Sequence, residues 1–148
     1  GAFNRAKSLE SSFHGLLVAD AGTVFTLTKV TTQGAFAGGQ LIPGLRLQLQ
    51  AMANGAQNLV DPGHPFCVPE QFPVETSEAM RRGSIQALLG ALLEAKRMSG
   101  LPLWLCGGDS TLLAMLLEER SIEVFHYPYL ALEGMIDVQS RIIQAQDQ

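Results

Sequence analysis

Residues 16–28, Leu-Leu-Val-Ala-Asp-Ala-Gly-Thr-Val-Phe-Thr-Leu-Thr, constrain the fold more than any other stretch of the chain. An apolar run delivers one carboxylate, Asp20, into a turn at Gly22, and an alternating run of Val, Phe, Leu and Thr leads away from it. That pattern predicts a strand, a tight turn and a second strand. A glycine at the turn admits a ligand close to the backbone, where a Cβ would obstruct it. Asp20 and the Thr23 hydroxyl add hard oxygens beside backbone amide donors, a mixture suited to phosphate and its counter-cation. A plain structural role fits the same residues: Asp20 capping the turn of an ordinary hairpin.

At 148 residues the chain is about one domain and long enough to bury a core without staples. Apolar residues at 47% against 16% charged exclude a disordered chain, and a mean hydropathy of +0.16 leads us to expect that part of the surface meets another chain. A net charge of −4 without a basic cluster argues against nucleic acid or an anionic membrane as the main partner. The two cysteines, Cys67 and Cys106, and the three histidines, His14, His64 and His126, lack metal-ligand spacing, so a zinc site is not expected. Apolar runs such as residues 101–106 are far too short to span a bilayer, and no charged-then-apolar leader opens the chain; a reducing cytoplasm is the expected setting.

Residues 4–13 have mixed polarity and fit a short helix. A third β-like segment spans residues 34–44, interrupted by Gly38-Gly39, with Pro43 placed to open a helix. Leu45, Leu47, Leu49 and Met52 line that helix, which should stop near Asn54-Gly55. Residues 56–74 carry four prolines and little periodicity, the mark of a long loop. A second helix is expected over residues 76–98, where Gly83 and Gly90 each cost roughly 1 kcal/mol against Ala. Close packing should offset that cost, either on the sheet or on a helix of a second subunit. Residues 101–106 suit a buried strand, Gly107-Gly108-Asp109-Ser110 turns it into a helix carrying Leu112 to Leu117, and Asp109 is the candidate N-cap. A short strand at residues 122–126 and a closing helix at 129–146 complete the chain. The element order predicts an α/β domain of the ribonuclease-H-like kind, a mixed sheet with helices packed on it. Its first three strands should be adjacent and antiparallel, and residues 103–106 should join them as a buried strand.

Two glycine-rich turns at strand ends fit a nucleotide with its phosphates on the first and its adenosine near the second. The succession Asp-Ala-Gly-Thr on a hairpin, Gly-Gly-x-x-x-Pro-Gly, Thr-x-x-Ala-Met, Gly-Gly-Asp-Ser and Leu-Ala-Leu-Glu-Gly-Met, over residues 15–135, resembles the C-terminal half of type III pantothenate kinases, members of the actin-like ATPase superfamily. The resemblance implies transfer of the ATP γ-phosphate to pantothenate, the first step toward coenzyme A, with magnesium, a monovalent cation (potassium or ammonium) and a homodimer. It implies Asp20 as the ligand of the monovalent cation, Gly22 and Thr23 beside ATP, Thr76 reaching pantothenate in the neighbouring subunit, and Gly107 and Gly108 beside the adenosine. A cation at Asp20 would neutralise phosphate charge where the matching turns carry no lysine.

The sequence departs from the family's pattern in two places. The family's N-terminal half, with its Asp-x-Gly-Asn phosphate loop, has no counterpart among these residues, so the chain alone is not expected to turn over. The family's catalytic base lies in a Gly-x-Asp-Arg motif, and its nearest counterpart here is Phe3-Asn4-Arg5. Asn4 stands where the Asp belongs, and an amide cannot accept the hydroxyl proton of pantothenate. Arg5 can still hold a carboxylate or phosphate. Three functional classes fit these motifs: a type III pantothenate kinase represented by part of its chain, a non-catalytic relative acting as a binding or regulatory subunit, and an unrelated α/β domain whose glycine turns are structural.

Overall fold

The computed structural model describes the backbone of residues 2–9, 14–65 and 67–146, and the side chains of these apart from 9, 137 and 140–146. Its elements are α1 (Ala2–Leu9), β1 (Leu16–Ala21), β2 (Val24–Val30), β3 (Phe36–Pro43), α2 (Leu45–Gly55), α3 (Thr76–Ser99), β4 (Leu103–Cys106), α4 (Ser110–Glu118), β5 (Phe125–His126) and α5 (Leu130–Gln146). One five-stranded sheet runs in the order β3-β2-β1-β4-β5. The first three strands are antiparallel neighbours, while β4 and β5 lie parallel to β1 and to each other in turn. This is the ribonuclease-H-like mixed sheet that the element order predicts, with helices packed on both faces.

Parity along β1 decides what each face of the sheet does, because successive side chains of a strand point to opposite faces. Leu17, Ala19 and Ala21 face one way with Phe25, Leu27, Leu103 and Leu105, and pack under α2, α3 and α4 through Leu49, Leu88, Leu92 and Leu117. Leu16 faces the other way with Trp104 and Cys106, in a smaller cluster closed by Ala6 of α1 and Leu130 of α5. Asp20 has the parity of Leu16 and Val18. The carboxylate therefore emerges on the smaller face, at the carboxyl end of β1, where open α/β sheets hold their ligands.

Several boundaries differ from expectation, each for a local reason. Pro43 closes β3 rather than opening α2; β3 is an edge strand, where a residue without an N–H is tolerated, and Gly44 takes the position before the helix. The last strand shrinks to Phe125 and His126, because Ile122 and Val124 pack on the main core instead of entering the sheet. The expected helix over residues 4–13 is described only as α1, its remainder lying outside the described residues. A Cβ at Gly83 or Gly90 would meet nothing within 4 Å, so among the described residues the close packing expected at these positions is not found. Both glycines lie on the exposed side of α3. The loop over residues 56–75 is anchored: Leu59 and Val68 pack on the core, and Arg81 donates to the carbonyls of Pro62 and Gly63. Among the described residues, no helix is long and apolar enough to cross a membrane.

Candidate functional site

Asp20 stands opposite Thr26 across the antiparallel ladder and opposite Cys106 across the parallel one. Together with Val18 and Thr28 these side chains floor a cavity of about 300 Å³, walled by Ala2 of α1 and by Leu130 and Gly134 of α5. The Asp20 carboxylate is half-buried, and among the described residues it carries no hydrogen bond or ion pair. It does not cap its own turn. A partly desolvated charge without a partner, beside two hydroxyls in a cavity, is a donor set suited to a cation and the phosphate it accompanies.

The two glycine turns converge on this carboxylate. Gly107 adopts φ +94°, and a Cβ there would sit 2.5 Å from Asp20 Oδ1 and 2.7 Å from the backbone N and C of Ala21. Only glycine fits. The turn is tied to β1 by the Asp109 N–H donating to Ala21 O at 2.9 Å, and to the following segment by Gly107 N–H donating to Pro128 O at 3.1 Å. On the other side, the Gly44 N–H donates to Thr23 O at 3.0 Å, which holds the Gly22-Thr23 turn against the start of α2. Thr23 is exposed beyond that anchor.

Asp109, expected as the N-cap of α4, makes no side-chain capping bond. Its Oδ1 lies instead 2.6 Å from His64 Nε2, which fastens the proline-rich loop onto the Gly107-Gly108 turn. Ser110 donates its hydroxyl proton to Gly107 O at 2.6 Å and lies 3.0 Å from His126 Nε2. Burial holds the His126 ring below the usual histidine range. Burial, and after it the charge of Asp20, pushes the Cys106 thiol up to about 12, so the cavity floor keeps a neutral sulfur beside the carboxylate.

The remaining site candidates are dispersed. Arg5 on α1 pairs with Glu133 of α5 at 2.9 Å and lies over the Tyr127 ring at 4.7 Å, in a stack that continues through Trp104 to Phe125. Its guanidinium holds a carboxylate of the chain itself. Asn4 is exposed on the same helix, and neither Asn4 nor Thr76, exposed at the start of α3, lines the Asp20 cavity. Gly22, Gly107 and Asp20 do come together. Sequence reading missed Thr26 and Thr28, although their alternation with Phe25 and Leu27 already puts them on the face of Asp20. It also missed His64, Ser110 and His126, whose contacts no local pattern announces.

A sequence model of the family described as type III pantothenate kinase matches residues 4–97, spanning Asn4, Arg5, Asp20, Gly22, Thr23 and Thr76. The chain belongs to the type III pantothenate kinase family. Type III pantothenate kinases similar to it include that of Synechococcus sp. (strain JA-3-3Ab), 37% identical over 128 residues that cover 80% of this chain and 52% of the relative. That of Chromobacterium violaceum is 39% identical over 82 residues, covering 55% and 33%. That of Rhodopirellula baltica is 33% identical over 129 residues, covering 83% and 47%. The chain spans about half the length of the first of these family members. Among solved structures, a conserved Baf family protein from Campylobacter jejuni superposes with a TM-score of 0.63 at 19% identity, over 88% of this chain and 60% of its own, a likeness of fold.

Proposed function

We propose that this chain forms the C-terminal half of a cytoplasmic enzyme that phosphorylates pantothenate with ATP, magnesium and a monovalent cation. The observation that carries this reading is the unpartnered Asp20 carboxylate, half-buried on a cavity floor with the Thr26 and Thr28 hydroxyls and with the Cβ-free Gly107 pressed against it. Asp20 holds the monovalent cation, whose positive charge, when bound, offsets that of the phosphates. Gly22 and Thr23 offer backbone and hydroxyl donors to phosphate oxygens, and Gly107 and Gly108 leave the wall beside the adenosine open. Thr76 serves pantothenate bound to the neighbouring subunit of a homodimer, consistent with its exposure outside the Asp20 cavity. The complete cleft, and with it turnover, belongs to the full-length protein. Incubating that protein with ATP, magnesium, potassium and pantothenate should yield 4′-phosphopantothenate by mass spectrometry. No product at any potassium concentration would exclude the activity.

A non-catalytic relative is the second reading, and two observations favour it specifically. By the sequence resemblance Asn4 puts an amide at the place of the family's base, and Arg5 is already paired with Glu133. If the full-length protein binds ATP but forms no product, while Asn4→Asp gains turnover, this reading is correct.

The homodimer rests on the exposed face of α3, where Gly83 and Gly90 lie a heptad apart with open space above both. Small residues at that spacing let a partner helix approach closely, which would offset their helix-propensity cost. Multi-angle light scattering on the full-length protein should return twice the chain mass, and Gly83→Leu should shift it toward the monomer. A wild-type monomer at micromolar concentration would remove the dimer, and an unshifted dimer in the variant would remove α3 from its interface.

A further inference from the structure

We propose that His126 is a positioning residue for the Asp20 site, acting through Ser110 on the Gly107 turn. The proposal rests on the kinase reading only in what the site binds; the relay itself is a matter of geometry.

The Ser110 hydroxyl has one proton, and Gly107 O takes it at 2.6 Å. The hydroxyl oxygen can then only accept from His126 Nε2, 3.0 Å away. A neutral imidazole carries one N–H, so this contact puts it on Nε2 and leaves Nδ1 bare. Ser110 is fully buried and His126 half-buried, so water competes little for either bond. The Ser110 hydroxyl and the Ser110 N–H, which donates to the same oxygen at 3.2 Å, together hold the carbonyl of Gly107, and His126 fixes the hydroxyl; Gly107 has a φ of +94°, outside the range most side chains tolerate.

That carbonyl is the lever. Its orientation fixes the plane of the Gly107 peptide, and this residue stands so close to β1 that a Cβ on it would lie 2.5 Å from Asp20 Oδ1 and 2.7 Å from the backbone of Ala21. The turn has its own tether to Pro128 O, but no other side chain among the described residues bonds Gly107 O. A rotation of this peptide would open a gap against the carboxylate or drive the turn into it. His126 thus sits on β5, two strands away from β1, yet sets where the Asp20 oxygens can lie. It is not among the residues lining the Asp20 cavity, and its role is to hold the shape of the wall that an ATP phosphate and its cation meet.

The test uses the full-length protein, with ATP in potassium buffer as the titrant and calorimetry as the readout. His126→Gln keeps an N–H donor near the place of Nε2, whereas His126→Leu removes it and Ser110→Ala removes the bridging hydroxyl. Losing one buried hydrogen bond of this kind should weaken ATP binding roughly five- to tenfold in the Leu and Ala variants. The Gln variant should stay close to wild type, a rescue that a simple packing role for the ring would not give. Nitrogen-15 spectra of the wild type should show His126 Nδ1 as the unprotonated nitrogen. The proposal is overturned if His126→Leu and Ser110→Ala both bind ATP as the wild type does, if Gln and Leu lose equally, or if Nδ1 carries the proton. Should the Leu variant not fold, Ser110→Ala and the spectra decide. A wild type that binds no ATP overturns the kinase reading along with this role, which separates that failure from a loss of effect in the variants alone.

Discussion

Gly107→Ala is expected to destabilise the full-length protein by about 2–5 kcal/mol and to abolish detectable nucleotide binding. Two penalties add. The backbone at φ +94° is strained for any residue with a Cβ, a penalty of about 1–3 kcal/mol. The methyl would also lie 2.7 Å from the N and C of Ala21, backbone atoms of a strand paired on both sides, which cannot withdraw as a side chain can. The 2.5 Å approach to Asp20 Oδ1 is relieved more easily, by turning the carboxylate, and that movement is the reason binding fails together with stability. Gly108→Ala is the control. A Cβ there meets nothing within 4 Å, so its effect on the unfolding midpoint should be within about 0.5 kcal/mol of zero. Chemical denaturation of both variants against wild type checks the pair. A Gly107→Ala protein as stable as Gly108→Ala would mean that the turn does not press on β1.

The part of this arrangement written in local pattern was legible before any coordinates. Alternation in residues 16–28 gives the hairpin, and its parity puts Asp20 on the face opposite Leu17 and Ala19. Reading the same parity one strand further yields Thr26 and Thr28 as its neighbours. Long-range polar pairs leave no such trace. His64 and Asp109 meet at 2.6 Å although 45 positions separate them, and neither sits in a motif that calls for the other. Asp109 has the identity and position of an N-cap, but the competing histidine takes its carboxylate. The end of α4 was equally hidden. Ser121 adopts φ +56°, a conformation usually left to glycine or asparagine, and turns the chain so that Ile122 N–H reaches Leu117 O at 2.9 Å. That turn carries Ile122 and Val124 onto the core and leaves only two residues for β5. Arg5 shows the remaining ambiguity: a guanidinium expected for a ligand carboxylate is held by Glu133, a partner on a helix more than 120 residues away.

Asp20→Asn should leave folding nearly unchanged while weakening ATP binding in potassium by about 1.5–3 kcal/mol, the range for losing a charged contact. The asymmetry follows from what the carboxylate touches. No hydrogen bond or ion pair within the described residues depends on its charge, so the amide removes nothing from the unliganded fold. It also relieves a partly desolvated anion, so stability should hold or rise slightly. A bound cation, by contrast, loses its only carboxylate among the cavity-lining residues. The same substitution has a second, independent signature. Asp20's charge helps push the Cys106 thiol up to about 12, so its removal should lower that thiol's pKa, with burial still keeping it well above an exposed cysteine's. Thiol titration of the unliganded protein reads this without any nucleotide. For the binding arm, ATP is titrated into wild type and Asp20→Asn in potassium and again in sodium. Wild type in potassium should be the tightest of the four, and the two Asp20→Asn titrations should be alike, because the cation preference resides in the carboxylate. Equal affinities in all four would take Asp20 out of the nucleotide site and leave its half-buried charge unexplained by any ligand.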